Sequence, residues 1–169
     1  MLTSDNPIIR TGKAGEGTYG VVYAAETAKE KRPLVVKRNI IDEMTDFSGS
    51  LKELDLLIRL RGHPHIINLE TVSFGNPFQS VMSPIAEPGY KEDPIHFIFE
   101  QATCDASQLV TKKKLSFPTL KRIFGQALLG VEYMHSQKIL HRDLKPANLL
   151  WFDQTSMIKI CDVSMTFWF

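Results

Sequence analysis

The chain has 169 residues, of which 43% are hydrophobic and 23% charged, and a formal net charge of +1. That balance suits one globular domain with an apolar core and excludes a disordered or membrane-spanning chain. A near-neutral surface supplies no field to gather nucleic acid or an anionic membrane, so neither is expected as a partner. Residues 1–13 lack the apolar run of a signal peptide, so an intracellular protein is expected. Cys104 and Cys161 are too few for a disulfide framework and fit a reducing compartment.

Residues 8–40 read as strands joined by turns. Gly15-Glu16-Gly17-Thr18-Tyr19-Gly20 leads into Val21-Val22-Tyr23 and then Pro33-Leu34-Val35-Val36-Lys37, β-branched runs bounded by glycine and proline. Residues 50–61 are expected to form a helix ended by Gly62 and Pro64. On that helix Lys52, Asp55 and Arg59 gather on one side, while Glu53 falls between Leu57 and Leu60 within the apolar arc. A carboxylate facing inward is costly unless paired. Lys37, at the end of an apolar strand, is the candidate partner; the alternative is a helix edge that stays wet.

Ile66 to Phe74 and Ile95 to Glu100 read as two further strands. Residues 75–93 between them are rich in Pro and Gly and are expected to be an exposed insertion. Ser116 can cap a long helix reaching about Ser136, with Leu120, Ile123, Phe124, Ala127, Val131 and Met134 on its apolar face. Short strands then flank residues 141–150, the last ending in Met157-Ile158-Lys159-Ile160. Strands first and helices second give an α+β order.

Three motifs carry chemistry. Gly15, Gly17 and Gly20 lack Cβ atoms, so their backbone can approach a triphosphate and offer it N–H groups. A dinucleotide-binding turn would have to open a helix, whereas a strand follows here. In His141-Arg142-Asp143-Leu144-Lys145-Pro146-Ala147-Asn148-Leu149-Leu150 an acid, a base and an amide stand at the spacing used in phosphoryl transfer. Asp162 follows an apolar strand and Cys161. None of His63, His65, His96 and His135 has metal-ligand spacing.

In this order the motifs resemble the eukaryotic protein kinases, and in detail the cyclin-dependent group of serine/threonine kinases. The resemblance implies a protein-kinase-like fold with a complete β-rich N-lobe, residues 1–100, carrying one helix. Residues 101–169 would hold the hinge and only the start of the helical C-lobe. It implies a serine/threonine kinase that uses ATP and Mg2+ to phosphorylate a protein substrate. Gly15, Glu16, Gly17, Thr18, Tyr19, Gly20 and Lys37 would hold the phosphates, with Glu53 pairing Lys37. Val22, Val35 and Leu150 would surround the adenine, Phe99 would be the gatekeeper, Glu100 and Ala102 the hinge, and Asp105 the ribose contact. Asp143 would be the base, Lys145 would stand near the transferred phosphate, and Asn148 and Asp162 would bind magnesium. His141 would be structural, and Thr18 and Tyr19 match positions whose phosphorylation inhibits the group.

A regulatory protein on the Glu53 helix is a candidate partner, although the segment Met44-Thr45-Asp46-Phe47-Ser48-Gly49-Ser50 lacks the usual cyclin-contact sequence. Two departures stand out. Val35 replaces the family's alanine, crowding the adenine pocket, and Asp162-Val163-Ser164 replaces Asp-Phe-Gly. The resemblance stops soon after, so the chain is expected to be truncated, its activity impaired, and Thr166-Phe167-Trp168-Phe169 left as exposed aromatic surface. The alternative reading is a non-catalytic kinase fragment or pseudokinase that binds nucleotide or protein.

Overall fold

The computed structural model describes residues 6–17, 20–39, 44–75, 77–78, 95–112, 114–163 and 167–168. The chain forms two compact units, one drawn from Met1–Leu51 and Leu69–Gln101, the other from Lys52–Asn68 and Ala102–Phe169.

The first unit is an antiparallel sheet. Its strands are β1 (Ile8–Gly17), β2 (Gly20–Thr27), β3 (Pro33–Asn39), β4 (Leu69–Phe74) and β5 (Ile95–Glu100), in the order β1-β2-β3-β5-β4. Along β2 and β3 burial alternates with period two. Val21, Tyr23, Ala25, Leu34 and Val36 are buried, while Val22, Ala24, Val35 and Lys37 are half-buried on the other face. The first set packs with Ile8 and Ile98 into a core. Phe78 stands edge-on to the Tyr23 ring at 5.8 Å, and the Arg10 guanidinium lies 4.0 Å above that ring. Arg32 reaches across to Glu70 in a two-pronged pair at 2.9 and 3.3 Å. Gly20 is required where it stands: its φ is +148°, and a Cβ would lie 2.0 Å from the Arg38 carbonyl oxygen. Of the expected insertion, Asn76 and residues 79–93 lie outside the described residues, whereas Phe78 is bridged to Ile8.

Helix α1 (Met44–Arg59) begins six residues earlier than expected and gives way to a turn at Leu60. Ser48, Gly49 and Ser50 are weak helix formers, which made the start look later; so weak a preference does not stop the helix running through them. Glu53 is buried at 6% exposure, as the leucine pattern around it required.

The second unit is built on α3 (Phe117–Ser136). The Ser116 hydroxyl accepts the Thr119 N–H at 3.4 Å, and Pro118 fits the first turn. Ile123, Ala127, Gly130 and Met134 form its buried face. The expected apolar face is corrected at Phe124, which is 67% exposed, and the buried stripe is rotated toward the small residues Ala127 and Gly130. A short helix, α2 (Ala106–Lys112), precedes it and was not anticipated. Strands β6 (Cys104–Asp105), β8 (Leu149–Phe152) and β9 (Met157–Ile160) make a three-stranded sheet, and β7 (Ile139–Leu140) pairs with β10 (Phe167–Trp168). Thr166 and Phe169, from the expected aromatic tail, lie outside the described residues.

Two contacts fasten α3 to this sheet. Gln126 donates to the Ser156 carbonyl at 3.2 Å and accepts the Ile158 N–H at 2.6 Å. At Gly130 the helix comes so close that a Cβ would sit 2.8 Å from Ile160 Cδ1 and 2.9 Å from the His65 carbonyl oxygen. Residues 60–67 are sewn on beside it: Ile160 donates to His65 and accepts from Ile67, both at 2.9 Å. The His63 ring stacks on Tyr133 at 4.4 Å. Among the described residues no helix is long and apolar enough to cross a membrane.

Gly130 and Gly125, on the same helix, should therefore respond oppositely to alanine. Gly130→Ala presses a methyl onto a backbone carbonyl and should lose about 1–3 kcal/mol. Gly125→Ala meets open space and should gain up to about 1 kcal/mol from helix propensity alone. Denaturant unfolding of the two variants reads both signs.

Candidate active site

In the first unit, one sheet face carries several of the residues singled out from the sequence. Val22, Lys37 and Phe97 form one rung across β2, β3 and β5, and Ala24, Val35 and Phe99 form the next. Val35 thus presents its two methyl groups beside the Phe99 ring's rung, one step from Lys37. Lys37 and Glu53 are each engaged within the fold. Gly17 pairs with Gly20 and Gly15 with Val22, so the glycines line the tip of the β1–β2 hairpin. No neighbour lies within 4 Å of the Cβ that Gly15 lacks. Glu16 pairs through its backbone with Val21, while Thr18 and Tyr19 lie outside the described residues. Glu100 pairs with Leu34 at the end of β5.

In the second unit the chemistry is held on a loop that hangs from His141. Its ring is buried; Nδ1 accepts the Asp143 N–H at 3.3 Å and Nε2 donates to the Cys161 carbonyl at 2.8 Å. An acceptor on one side and a donor on the other select one neutral tautomer. That is the structural role expected of it. The Cys161 N–H in turn donates to the Asn148 carbonyl at 3.0 Å. Asn148 and the segment leading to Asp162 are thereby tied side by side.

Asp143, Lys145 and Asn148 converge. The Asp143 Oδ2 accepts from Lys145 Nζ at 2.8 Å and from Asn148 Nδ2 at 3.1 Å, and the same amide also donates to the Asp143 carbonyl at 2.8 Å. The Lys145 hydrogen bond and charge, with the Asn148 amide, hold the Asp143 carboxyl below its usual range against the opposing effect of burial. Lys145 is raised above its ordinary value, first by its hydrogen bond to Asp143 and in smaller part by the charge of Asp162. Asp162 has a φ of 60°, a left-handed conformation uncommon outside glycine that aspartate and asparagine adopt more readily than most residues. Val163, at the position of the family's phenylalanine, is fully buried, and Ser164 lies outside the described residues.

The donor set fits magnesium. Asn148 donates through its amide nitrogen to the Asp143 carbonyl and carboxylate, so its Oδ1 would be the atom it offers to a cation, with the Asp162 carboxylate as the second oxygen donor. Hard oxygens in so small a number suit Mg2+, which completes its shell with water and phosphate. Among the described residues no group of three or more His, Cys, Asp or Glu could hold a metal by itself.

Asp105 has a task that the sequence reading missed. It caps α2: its carboxylate accepts from the Ser107 hydroxyl, from the Gln108 N–H at 2.8 Å and from the Gln108 side-chain amide at 2.7 Å. Burial pushes its carboxyl up, but these hydrogen bonds together outweigh it and leave the group lowered. The signal was present as Asp105-Ala106-Ser107-Gln108, a capping-box pattern. Leu150 lies directly across from Asp105 on β8, and Ala102 precedes β6.

The family model for the protein kinase domain matches residues 9–166. The chain belongs to the protein kinase domain family. It is 31% identical to cyclin-dependent kinase G1 of Arabidopsis thaliana, over 96% of this chain and 25% of that protein. Human cyclin-dependent kinase 10 is 33% identical over 92% of this chain and 40% of its own length. The CTD kinase subunit alpha of Saccharomyces cerevisiae is 35% identical over 96% of this chain and 28% of its own length. The chain thus spans well under half of each of these relatives. Members of this family use ATP and Mg2+.

Lys145→Met should release the Asp143 carboxyl toward the ordinary value of about 3.9. An NMR titration of the side-chain carboxyl carbon checks this, and no upward movement would contradict the assigned bond. Because the folded-state value is depressed, the pair stabilises the fold above that ordinary value and loses its effect as pH falls through the depressed one. Asp143 is exposed enough for solvent to screen the contribution to stability.

Proposed function

We propose that the chain carries the ATP-dependent phosphoryl-transfer machinery of a serine/threonine protein kinase. The observation that supports this best is the convergence of Asp143, Lys145 and Asn148, with the approach to Asp162 tied to Asn148 through Cys161. The glycine hairpin and Lys37 would bind the triphosphate, and Glu53 would orient Lys37. Val22, Val35 and Leu150 would meet the adenine, with Phe99 as gatekeeper, the Glu100 and Ala102 backbones at its edge, and Asp105 near the ribose. A carboxylate already committed to capping α2 is a weaker ribose acceptor than an open one. Asn148 and Asp162 would hold magnesium, which when bound neutralises charge on the phosphates.

Asp143 is ionised at neutral pH and accepts, so it can receive a hydrogen bond from the attacking hydroxyl and take its proton as the new P–O bond forms. Lys145, bonded to the same carboxylate, brings positive charge to where the transferred phosphoryl's negative charge spreads over three oxygens. The substrate is a protein hydroxyl. A regulatory protein on the Glu53 helix is the partner we infer. Phe47, Leu51 and Ile58, exposed at 39%, 42% and 58%, recur at helical spacing along α1 and would form its footing.

A nucleotide- or protein-binding module without turnover is the second reading, and Val35 favours it by narrowing the face on which adenine would lie. The two readings separate in one set of measurements. Calorimetry with a non-hydrolysable ATP analogue and Mg2+ should give weak binding that Asn148→Ala and Lys37→Met diminish. Val35→Ala should tighten it, by up to about tenfold if one misplaced methyl's worth of overpacking is relieved. Unchanged affinity in that variant would dispose of the crowding argument. Transfer of radiolabelled γ-phosphate to a basic protein should fall by about 10²-fold or more in Asp143→Asn if the carboxylate acts as acceptor. Nucleotide binding with no transfer above that blank would instead support the binding module.

A further inference from the structure

Two residues beyond Lys37, on the same face of β3, stands an amide buried at 4% exposure, Asn39. Its Nδ2 donates to the hydroxyl of Ser50, 6% exposed, at 3.0 Å. Its Oδ1 is buried with no hydrogen-bond partner among the described residues. Exchanging the two ends of the amide would move the deficit to the nitrogen and not remove it. Ser50 sits on the buried face of α1, where Glu53, Leu57 and then Leu60 recur at helical spacing. A purely apolar contact between strand and helix would be more stable than this half-satisfied pair.

The pair supplies direction instead. Apolar side chains tolerate small rotations and slips of a helix, because burial is nearly non-directional. A buried amide facing a buried hydroxyl does not, since any other setting leaves both groups unpaired. A single buried asparagine sets register in coiled coils on the same grounds, at the expense of stability. We propose that Asn39–Ser50 is a positioning pair that fixes the rotational setting of α1 against the strand bearing Lys37, and so the direction in which Glu53 is presented one turn later. The setting itself is independent of any ligand; its consequence for nucleotide rests on the kinase reading above.

The test joins stability to conformational uniqueness in the full chain. The double variant Asn39→Leu/Ser50→Ala should melt at or above the wild-type temperature, whereas Ser50→Ala alone, which strands the Asn39 amide, should melt lower by about 3 °C or more. In amide NMR spectra, residues 50–59 should give one set of resonances in the wild type and in Ser50→Thr, which keeps the hydroxyl. The same residues should be doubled or exchange-broadened in the double variant. The ATP analogue should bind the double variant about tenfold more weakly, the reduction expected when the competent setting is only a tenth populated. A double variant with a single unshifted set of α1 resonances would overturn the proposal. So would one that melts well below the wild type or fails to fold, because the pair would then be an ordinary stabilising contact. If the wild type binds no nucleotide, the kinase reading fails while the resonances of α1 still decide this one.

Discussion

The loop bearing Asp143, Lys145 and Asn148 depends on the buried ring of His141. Its regular structure is one short 3-10 turn, Pro146–Asn148, so it needs anchors outside itself. His141 bonds the backbone of Asp143 on one side and that of Cys161 on the other. A neutral imidazole offers an acceptor and a donor at opposite edges of a rigid plane, so one ring bonds both backbone segments. The Cys161–Asn148 backbone bond closes the circuit. Neutral backbone contacts thereby help to set where Asp143, Asn148 and the segment leading to Asp162 stand, beside the Lys145–Asp143 ion pair.

Burial of polar groups recurs as the means by which this chain chooses one arrangement over its neighbours. Glu53 lies among leucines, Asn148 is buried with its amide nitrogen donating to Asp143, and Gln126 satisfies two backbone groups of the β8–β9 hairpin from a helix. Each such group stabilises little in net terms when paired and costs much when stranded. Alternative packings of the same apolar surfaces are therefore penalised in proportion to the number of polar partners they separate. Gly130 acts in the same direction by a steric route, since only a residue without Cβ permits α3 to meet the His65 carbonyl so closely.

What could be read from the sequence was whatever has a period or a cap. The strands of the first sheet alternate in burial with period two, Ser116 caps α3, and the inward position of Glu53 followed from 100° steps among the leucines. Helix α2 was missed because seven residues are too few to display a helical period, although its cap was written in Asp105 and Gln108. The early start of α1 is hard to read because Ser48 and Gly49 disfavour a helix locally, a preference too weak to stop one. Phe124 was assigned to the buried face because hydrophobicity alone cannot tell which of two adjacent stripes the neighbours cover; the small residues, not the large ones, mark the side of close approach. At the candidate site the motifs named the residues to examine, whereas the hydrogen bonds joining Asp143, Lys145 and Asn148 could not be read from them. Spacing says that Asp143 and Asn148 are five apart, but only the folded backbone turns the amide nitrogen of Asn148 toward Asp143.

The electrostatics of Asp143 bear on how such a site would work. A carboxyl held below its usual range is a poorer base than an ordinary one, which argues against early removal of a hydroxyl proton. That is no defect in a loose transition state, where the nucleophile is scarcely bonded and still carries its proton. The hydroxyl gains acidity only as its oxygen bonds to phosphorus, and a weak acceptor already in place is sufficient at that stage. In such a mechanism Lys145 would serve both phases: bonded to the carboxylate beforehand, its positive charge would be drawn toward the phosphoryl oxygens as they gather charge. Asp143 would then lose part of its stabilisation and become more basic as the proton leaves, and the 2.8 Å contact would couple acceptance of the proton to transfer of the phosphoryl group.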